Sequence, residues 1–126
     1  MTYRTQEARR RLQVTWADWF ADYDILLCPV SAAAAFPHDH SGDLMSRSVT
    51  INGEARSLVG ASAWCGVIGV VGLPSAVVPV GLTPNHLPVG LQVVGPFLHD
   101  RRAIRVAKLI ADAVGGYQPP PGFASD

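Results

Sequence analysis

Three adjacent side chains, those of His38, Asp39 and His40, form the most chemically capable group in this sequence. Imidazole nitrogens and carboxylate oxygens are common ligands of divalent metals. Adjacent ligands in a loop must nevertheless converge without a rigid scaffold, and no further ligand is fixed nearby in the sequence. We therefore predict a solvated loop at residues 38–40 and no metal site.

Serine catalysis would require a base and an orienting acid, and spacing alone selects neither. Serines are plentiful, and His86 and His99 flank a predicted pair of strands. Lys108, the only lysine, follows Arg105 by one turn of a predicted amphipathic helix, where a solvated face is expected. Signature motifs of phosphate loops, dinucleotide-binding folds, zinc proteases and α/β-hydrolases are absent from the sequence. The residues by themselves therefore identify no catalytic centre.

The composition favours one folded domain and disfavours two classes of partner. The chain has 126 residues, of which 48% are hydrophobic and 16% charged, with a mean hydropathy of +0.20. Those values are typical of a single globular domain. Ten basic and ten acidic residues give a net charge of +0, without the positive surplus that holds nucleic acid or an anionic membrane. We predict a single domain over residues 1–126 that binds neither.

The cysteines and the apolar segments indicate the compartment. Cys28 and Cys65 lie in apolar runs without metal-ligand spacing, which favours buried free thiols in a reducing compartment over a disulfide. Residues 1–14 contain no apolar stretch before a cleavage site, so we predict a cytoplasmic protein.

Residues 57–99 carry no formally charged side chain and are long enough to span a bilayer. Their prolines and repeated glycines favour instead a buried helix followed by a buried strand.

Apolar periodicity predicts helices at both ends of the chain and strands between them. We expect a helix with a buried aromatic face at 4–23, a strand covered on both faces at 24–30, a helix at 57–71, two strands at 74–81 and 87–95, and a helix at 100–114. The glycines at 66, 69 and 72 would line one side of the helix at 57–71, so that another backbone could approach closely. Asp100 is predicted to cap the last helix, and the prolines of the tail predict an extended segment.

Two segments between these elements have distinctive compositions. Residues 31–48 are rich in Ala, His, Asp and Ser without periodicity, which predicts a long, mobile loop. The pair Asn52-Gly53 predicts a hairpin, because both positions tolerate the positive φ of a tight type I′ turn.

The order of four motifs resembles the C-terminal part of the amidase signature family. YDILLCPV is followed by a helical run into GLPSAVVPVG, then by LPVGLQVVGPFLHD, a helix and a closing PPPGF. Rigid backbone choices support these motifs, since Gly72 is expected to end a helix and Pro79 and Gly81 a strand. Gly90 is expected to let strand backbones pass closely. The resemblance extends from about Trp16 to Phe123.

This resemblance implies an α/β fold, a mixed sheet flanked by helices, and the hydrolysis of amides by a Ser–Ser–Lys triad. The matching loop for that triad would be Gly/Ser-rich, and this sequence contains none. Lys108 falls in a helix without a matching motif, so no catalytic residue is carried over and no cofactor is implied. By analogy, the loop after Val30 and the helix with Trp64 and Ile68 are where substrate contact is expected.

The candidates for substrate contact each have an alternative role. Trp64 and Ile68 are either wall residues of the substrate pocket or ordinary core residues, because apolar residues of a buried helix are usually core. Phe36, in the loop, is either a pocket or lid residue or a surface anchor.

Three functions follow for the whole chain. The first is the C-terminal segment of an amide hydrolase, inactive alone, which meets its small amide substrate only in a complete amidase. The second is a noncatalytic binding or assembly module, and the third is an unrelated small enzyme using the His and Asp of residues 38–40. Under the first two, the uncharged stretch predicts a homo-oligomer or association with an N-terminal amidase part.

Overall fold

The computed structural model describes residues 3–123. The elements, in chain order, are α1 (Tyr3–Asp22), β1 (Leu26–Pro29), a short 3-10 helix (Leu44–Ser46), β2 (Ser48–Ile51), β3 (Glu54–Ser57), α2 (Leu58–Ala61), α3 (Ala63–Val71), β4 (Ser75–Leu82), β5 (Pro88–Val94) and α4 (Asp100–Val114). The predicted α/β class is confirmed, and each strand pair in the described residues is antiparallel.

The main sheet has three strands in the order β1-β5-β4, and β5, the strand with the most buried residues, lies in the centre. The predicted strand pair is therefore present as β4 and β5, with Val78 opposite Leu91. α4 packs on one face of this sheet, where Val78, Val93 and Ala107 form a buried cluster. The sequence predicts that Pro79 and Gly81 end β4, and this prediction is wrong. They flank an irregularity in the register of β4, and the strand continues to Leu82.

The opposite face of the sheet is covered by helices at one end. Cys28 of β1, Ile68 of α3 and Val94 of β5 form a second buried cluster. β1 is an edge strand, and Leu27 on its other face is 50% exposed, so the prediction of a strand covered on both faces is wrong. α4 lies over β4 and β5 and leaves the β1 end of its face uncovered.

α1 is a helix as predicted, but it has no fully buried residue. Trp16 and Phe20 are half-buried against the second cluster, whereas Leu12 and Tyr23 remain exposed. The aromatic rings instead contact one another, with the Trp19 and Tyr23 ring centroids 4.4 Å apart. The expected burial of the aromatic face is therefore only partial, because α1 packs against α3 along one narrow stripe.

A tight hairpin joins β2 and β3 at the predicted Asn52-Gly53 pair. Ile51 lies opposite Glu54, and the two turn residues have φ values of 53° and 82°. Both are the left-handed values that a two-residue turn of this kind requires. The hairpin prediction is confirmed.

The predicted single helix at 57–71 is two helices, α2 and α3, with a break at Ser62. The Ser62 N–H donates to the carbonyl oxygen of Val59, three residues earlier, at 3.2 Å. This is a 3-10 hydrogen bond, and it makes a narrower turn than the α-helical bond to the fourth residue back. Low helix propensity in this glycine-containing run makes such a break inexpensive. α3 ends before Gly72, as the sequence predicts, and Gly72 has a left-handed φ of 71°.

α4 begins and ends within one residue of its predicted limits. His99, not Asp100, is the capping residue, because the His99 carbonyl accepts the first helical bond from Arg102 N at 2.9 Å. Asp100 is the first helical residue, where its carboxylate complements the positive end of the helix dipole. Gly115 ends the helix with a φ of 98°, as predicted. No helix among residues 3–123 is long and apolar enough to cross a membrane.

Candidate functional site

The loop after β1, where the family resemblance implies substrate contact, is attached to the end of α2. The Ala32 N–H donates to the Ala61 carbonyl oxygen at 2.9 Å, and the Ser31 hydroxyl donates to the same oxygen at 3.3 Å. Ala61 is itself 2% exposed, so this anchor is part of the core. The start of the loop is therefore fixed, and the exposed residues from 35 onward extend from this anchor.

Phe36 lies at a cavity of about 510 Å³ between the loop and β2. The cavity wall combines apolar residues with polar residues of the loop, among them Phe36, Pro37, His38, Asp39, His40, Arg47 and Leu58. The Phe36 side chain is 43% exposed, so one part of it faces this space and another part faces solvent. This position fits a pocket-wall residue and a surface anchor equally.

The polar groups at this cavity are held by the loop itself. The Asp39 carboxylate accepts bonds from the Ser41 N–H at 2.8 Å and the Ser41 hydroxyl at 2.6 Å. These bonds, with a smaller contribution from the positive charge of Arg47, hold the pKa of Asp39 below its ordinary value. The Arg47 Nε–H donates to the Ser41 carbonyl oxygen at 3.1 Å, which closes the loop.

The rings of the two histidines in this loop contact each other. The His38 and His40 rings meet edge to face with centroids 5.8 Å apart. Within residues 3–123, no three His, Cys, Asp or Glu side chains are grouped so that they could hold a metal ion. Asp39 is turned toward Ser41, which gives a physical reason why these neighbours form no ligand set.

A second cavity, of about 320 Å³, lies on the other side of the loop's first residues. Residues 30–35 form one wall, and Thr83, Val89 and Gly90 of the β4–β5 hairpin contribute to the other. Thr83 organises this turn, because its N–H donates to the Leu87 carbonyl at 2.8 Å and its hydroxyl accepts from the Leu87 N–H at 3.1 Å.

Trp64 and Ile68, the other two residues expected near substrate, lie one helical turn apart on the same side of α3 but differ in burial. Ile68 is 3% exposed and packs with Cys28 and Val94 in the core. Trp64 is 46% exposed, and it lines neither of the cavities beside the loop. The structure therefore does not bring Phe36, Trp64 and Ile68 together around one space.

Among the described residues, no lysine lines the two cavities beside the loop. Lys108 is on the outer face of α4, 74% exposed, with its ammonium nitrogen 2.9 Å from an Asp112 carboxylate oxygen. That solvated ion pair lies on the face that the sequence predicts for it. Cys65, which the sequence predicts to be buried, is exposed in the first turn of α3, whereas Cys28 is buried and both thiols are free.

A third cavity, of about 390 Å³, lies between α1 and the C-terminal end of α3, and no sequence motif points to it. Phe20, Val71, Leu73 and Phe97 line it together with Arg10. α1 is held there by two side chains that donate to the last carbonyls of α3, Arg9 to Val70 and Gln13 to Val71. The spacing of four residues puts both donors on one side of α1, which is visible in the sequence. Their acceptors lie about sixty residues away in the chain, so the sequence does not show which carbonyl groups they bind.

Comparison with known proteins gives the family. The model of the amidase family matches residues 1–104. The glutamyl-tRNA(Gln) amidotransferase A subunit of Brevibacillus brevis is 30% identical over 118 residues, which are 94% of this chain and 22% of the relative. Its counterpart in Thermus thermophilus is 34% identical over 110 residues, 87% of this chain and 21% of the relative. The chain thus spans about a fifth of the length of these relatives.

Solved structures agree with this match. A bacterial aryl acylamidase of the amidase signature family is 27% identical, with a TM-score of 0.69 over 86% of this chain and 22% of its own. A chain from a vestigial protein complex linked to the origins of an s-triazine catabolic enzyme is 19% identical, with a TM-score of 0.72 over 86% of this chain and 23% of its own, and shares the fold. The chain therefore belongs to the amidase family and corresponds to the C-terminal part of an amidase signature enzyme.

Proposed function

We propose that this chain works as the C-terminal segment of an amide hydrolase that acts on carbon–nitrogen bonds. It supplies strands of the sheet and part of the substrate-pocket wall, and the Ser–Ser–Lys residues come from elsewhere. The observation that carries this proposal is the amidase match over residues 1–104 in a chain that covers about 22% of its relatives. The solvated ion pair of Lys108, the only lysine, supports it as well.

The substrate class that we propose is a small amide, bound against the loop after β1. Phe36 has enough exposed apolar surface beside this space to contact the acyl part. Trp64, which lines neither cavity, would contribute to the pocket wall only in the assembled amidase, and Ile68 supports that wall from the core. The two cavities beside the loop offer space for such a ligand, since apolar walls with a few polar groups are typical of small-molecule sites.

The partner that we propose is the amidase part with the catalytic residues, with self-association where that part is missing. A cytoplasmic location and the absence of a cofactor belong to the same proposal. A purely noncatalytic assembly module is the second candidate, and the exposed apolar face of α3 favours it, because such a face suits association with or without catalysis.

The test uses the aryl acylamidase relative from which the segment matching this chain has been removed. We expect the isolated chain to hydrolyse no aliphatic or aromatic amide, because the covalent route requires an activated nucleophile. Adding it to the truncated relative should restore hydrolysis of an aryl acylamide. The Lys108→Ala variant should restore as much activity as the unsubstituted chain, since its ammonium is exposed and ion-paired.

Two results would contradict the proposal. One is turnover by the isolated chain that survives repurification and disappears in the Lys108→Ala variant, which would make Lys108 a catalytic base. The other is binding to the truncated relative without any restored hydrolysis, which would favour the assembly module.

A further inference from the structure

α3 is apolar around its whole circumference, yet only one side of it is covered. Its sequence is AWCGVIGVV, and within it only Ile68 and Val71 are buried. Trp64, Val67 and Val70 are 46%, 50% and 48% exposed. A helix that is hydrophobic on all sides normally lies inside a protein. The outer face of α3, defined by Gly66, Val67, Gly69 and Val70, therefore lacks a neighbour among the described residues, whereas Trp64 lies at the start of the helix on the side of Ile68 and Val71.

The two glycines of this face add a specific shape. A Cβ placed on Gly66 or on Gly69 would have no atom within 4 Å among the described residues. The close approach that the sequence predicts for these glycines is therefore not made inside the described part of the chain. Glycine inside a helix costs helical stability relative to alanine. Gly66 and Gly69 lie opposite the buried Ile68 and Val71, and the missing side chains leave a notch beside Val70 into which another backbone would fit.

The charge of the face restricts the partner. No side chain in residues 57–99 is formally charged, so the face offers nothing to phosphates or to a strongly charged protein surface. It suits an apolar element of another protein segment. The relatives are about four times as long as this chain, because 94% of the chain covers 22% of the first relative and 86% of it covers 22% of the aryl acylamidase. Each of these relatives therefore contains a long segment outside the part that this chain matches, and that segment is the partner available for the face.

We infer that the outer face of α3 docks the catalytic part of the amidase, whose backbone packs into the notch at Gly66 and Gly69. This inference rests on the proposed function and adds to it the surface that performs the association.

The experiment measures binding of residues 1–126 to the truncated aryl acylamidase by a titration that needs no catalysis. The Val67→Asp variant places a charge on the face, and we expect it to weaken binding at least 100-fold. The Gly69→Ala variant adds one methyl group in the notch, and we expect it to weaken binding about tenfold. The control is Leu109→Asp on the outer side of α4, where the leucine is 59% exposed and no docking is proposed.

Gly69→Ala also guards against a folding artefact. Because nothing lies within 4 Å of the added Cβ and alanine favours helix, this variant should melt at the same or a higher temperature while it binds more weakly. No structural defect of the chain gives that combination.

Each outcome decides the inference. Loss of binding in both α3 variants but not in Leu109→Asp supports it, even where hydrolysis is not restored and the proposed function fails. Equal binding by all four proteins overturns it and leaves the proposed function intact if hydrolysis is restored. Failure of the unsubstituted chain to bind overturns the inference together with the proposed partner.

Discussion

The Arg9 Nε–H donates to the Val70 carbonyl oxygen at 2.7 Å and so connects α1 to the C-terminal end of α3. The last four carbonyls of a helix lack partners within it. Here the Leu73 and Gly72 N–H groups bond the Ile68 and Gly69 carbonyls, and Arg9 and Gln13 bond the two that remain. Every terminal carbonyl of α3 is therefore paired, and the guanidinium also complements the negative end of the helix dipole.

We expect the Arg9→Ala variant to lower the free energy of unfolding by about 1 kcal/mol, the typical contribution of one such hydrogen bond at a partly exposed site. Urea unfolding measures it. Arg101→Ala removes an exposed arginine of α4 and is the control, with an expected change within about 0.5 kcal/mol. Equal losses in the two variants would show that Arg9 has no special role at the end of α3.

Two glycines should respond in opposite directions to the same substitution. Gly69→Ala adds a methyl group with open space around it in a helix, so we expect a gain of about 0.5–1 kcal/mol. Gly90→Ala places its Cβ 3.0 Å from Val77 Cγ1 across the β4–β5 pair, so we expect a loss of about 1–3 kcal/mol from overpacking. Thermal unfolding of the two isolated variants distinguishes them, and a shift of the same sign in both would contradict the open space at Gly69 and the close contact at Gly90.

The features that could be predicted from the sequence are those decided by a few adjacent residues. Asn52-Gly53 determines a turn through its own φ preferences, and Gly72 and Gly115 end helices for the same reason. The Arg9–Val70 contact depends on residues 61 positions apart, and no local pattern contains that information. The exposure of Leu27 likewise follows from the position of β1 at the edge of the sheet, which pairing alone decides.

The candidate site shows the same division. The composition of residues 31–48 predicts an irregular loop, and the structure has regular hydrogen bonding there only in a short 3-10 helix and at the start of β2. Whether Phe36 and Ile68 share a space depends on how the loop folds over β2 and how α3 rotates on the sheet. Those are packing outcomes, and the apolar character that drew attention to both residues is the same for a pocket and for a core.

The two thiols should differ in reactivity. Cys65 is exposed, whereas Cys28 is 3% exposed and its burial raises the pKa of its thiol. Because the thiolate is the reactive form, a thiol reagent should label Cys65 first and Cys28 only when the chain opens. Mass spectrometry of a labelling time course measures the order. In the Cys65→Ser variant the fast phase should vanish, and a fast phase that persists would mean that Cys28 is accessible.

Residues 35–46 should be the first internal segment cut by a nonspecific protease. All twelve are exposed, and the anchors at Ala32 and Arg47 lie at the two ends of this stretch. Exposed backbone with few buried contacts opens at low free-energy cost. Mass spectrometry of the first fragments locates the cut. A first cut between residues 57 and 82 would contradict the packing of α3 and β4 in the core.

The Asp39 carboxylate should titrate below its ordinary pKa, because the Ser41 hydroxyl and N–H donate to its charged form. A depressed pKa in the folded state means that the loop contact stabilises the fold at neutral pH and loses that contribution as the pH falls through the folded pKa. We expect Ser41→Ala to raise the Asp39 midpoint toward its ordinary value, since the N–H bond remains and the hydroxyl is lost. Carbon-detected NMR of the carboxylate follows the titration.

Ser46→Ala is the matched control, because the Ser46 hydroxyl donates to the Asp43 carbonyl and makes no bond to Asp39. An equal shift in both variants would show that general loosening of the loop, and not the Ser41 hydroxyl, determines the pKa of Asp39.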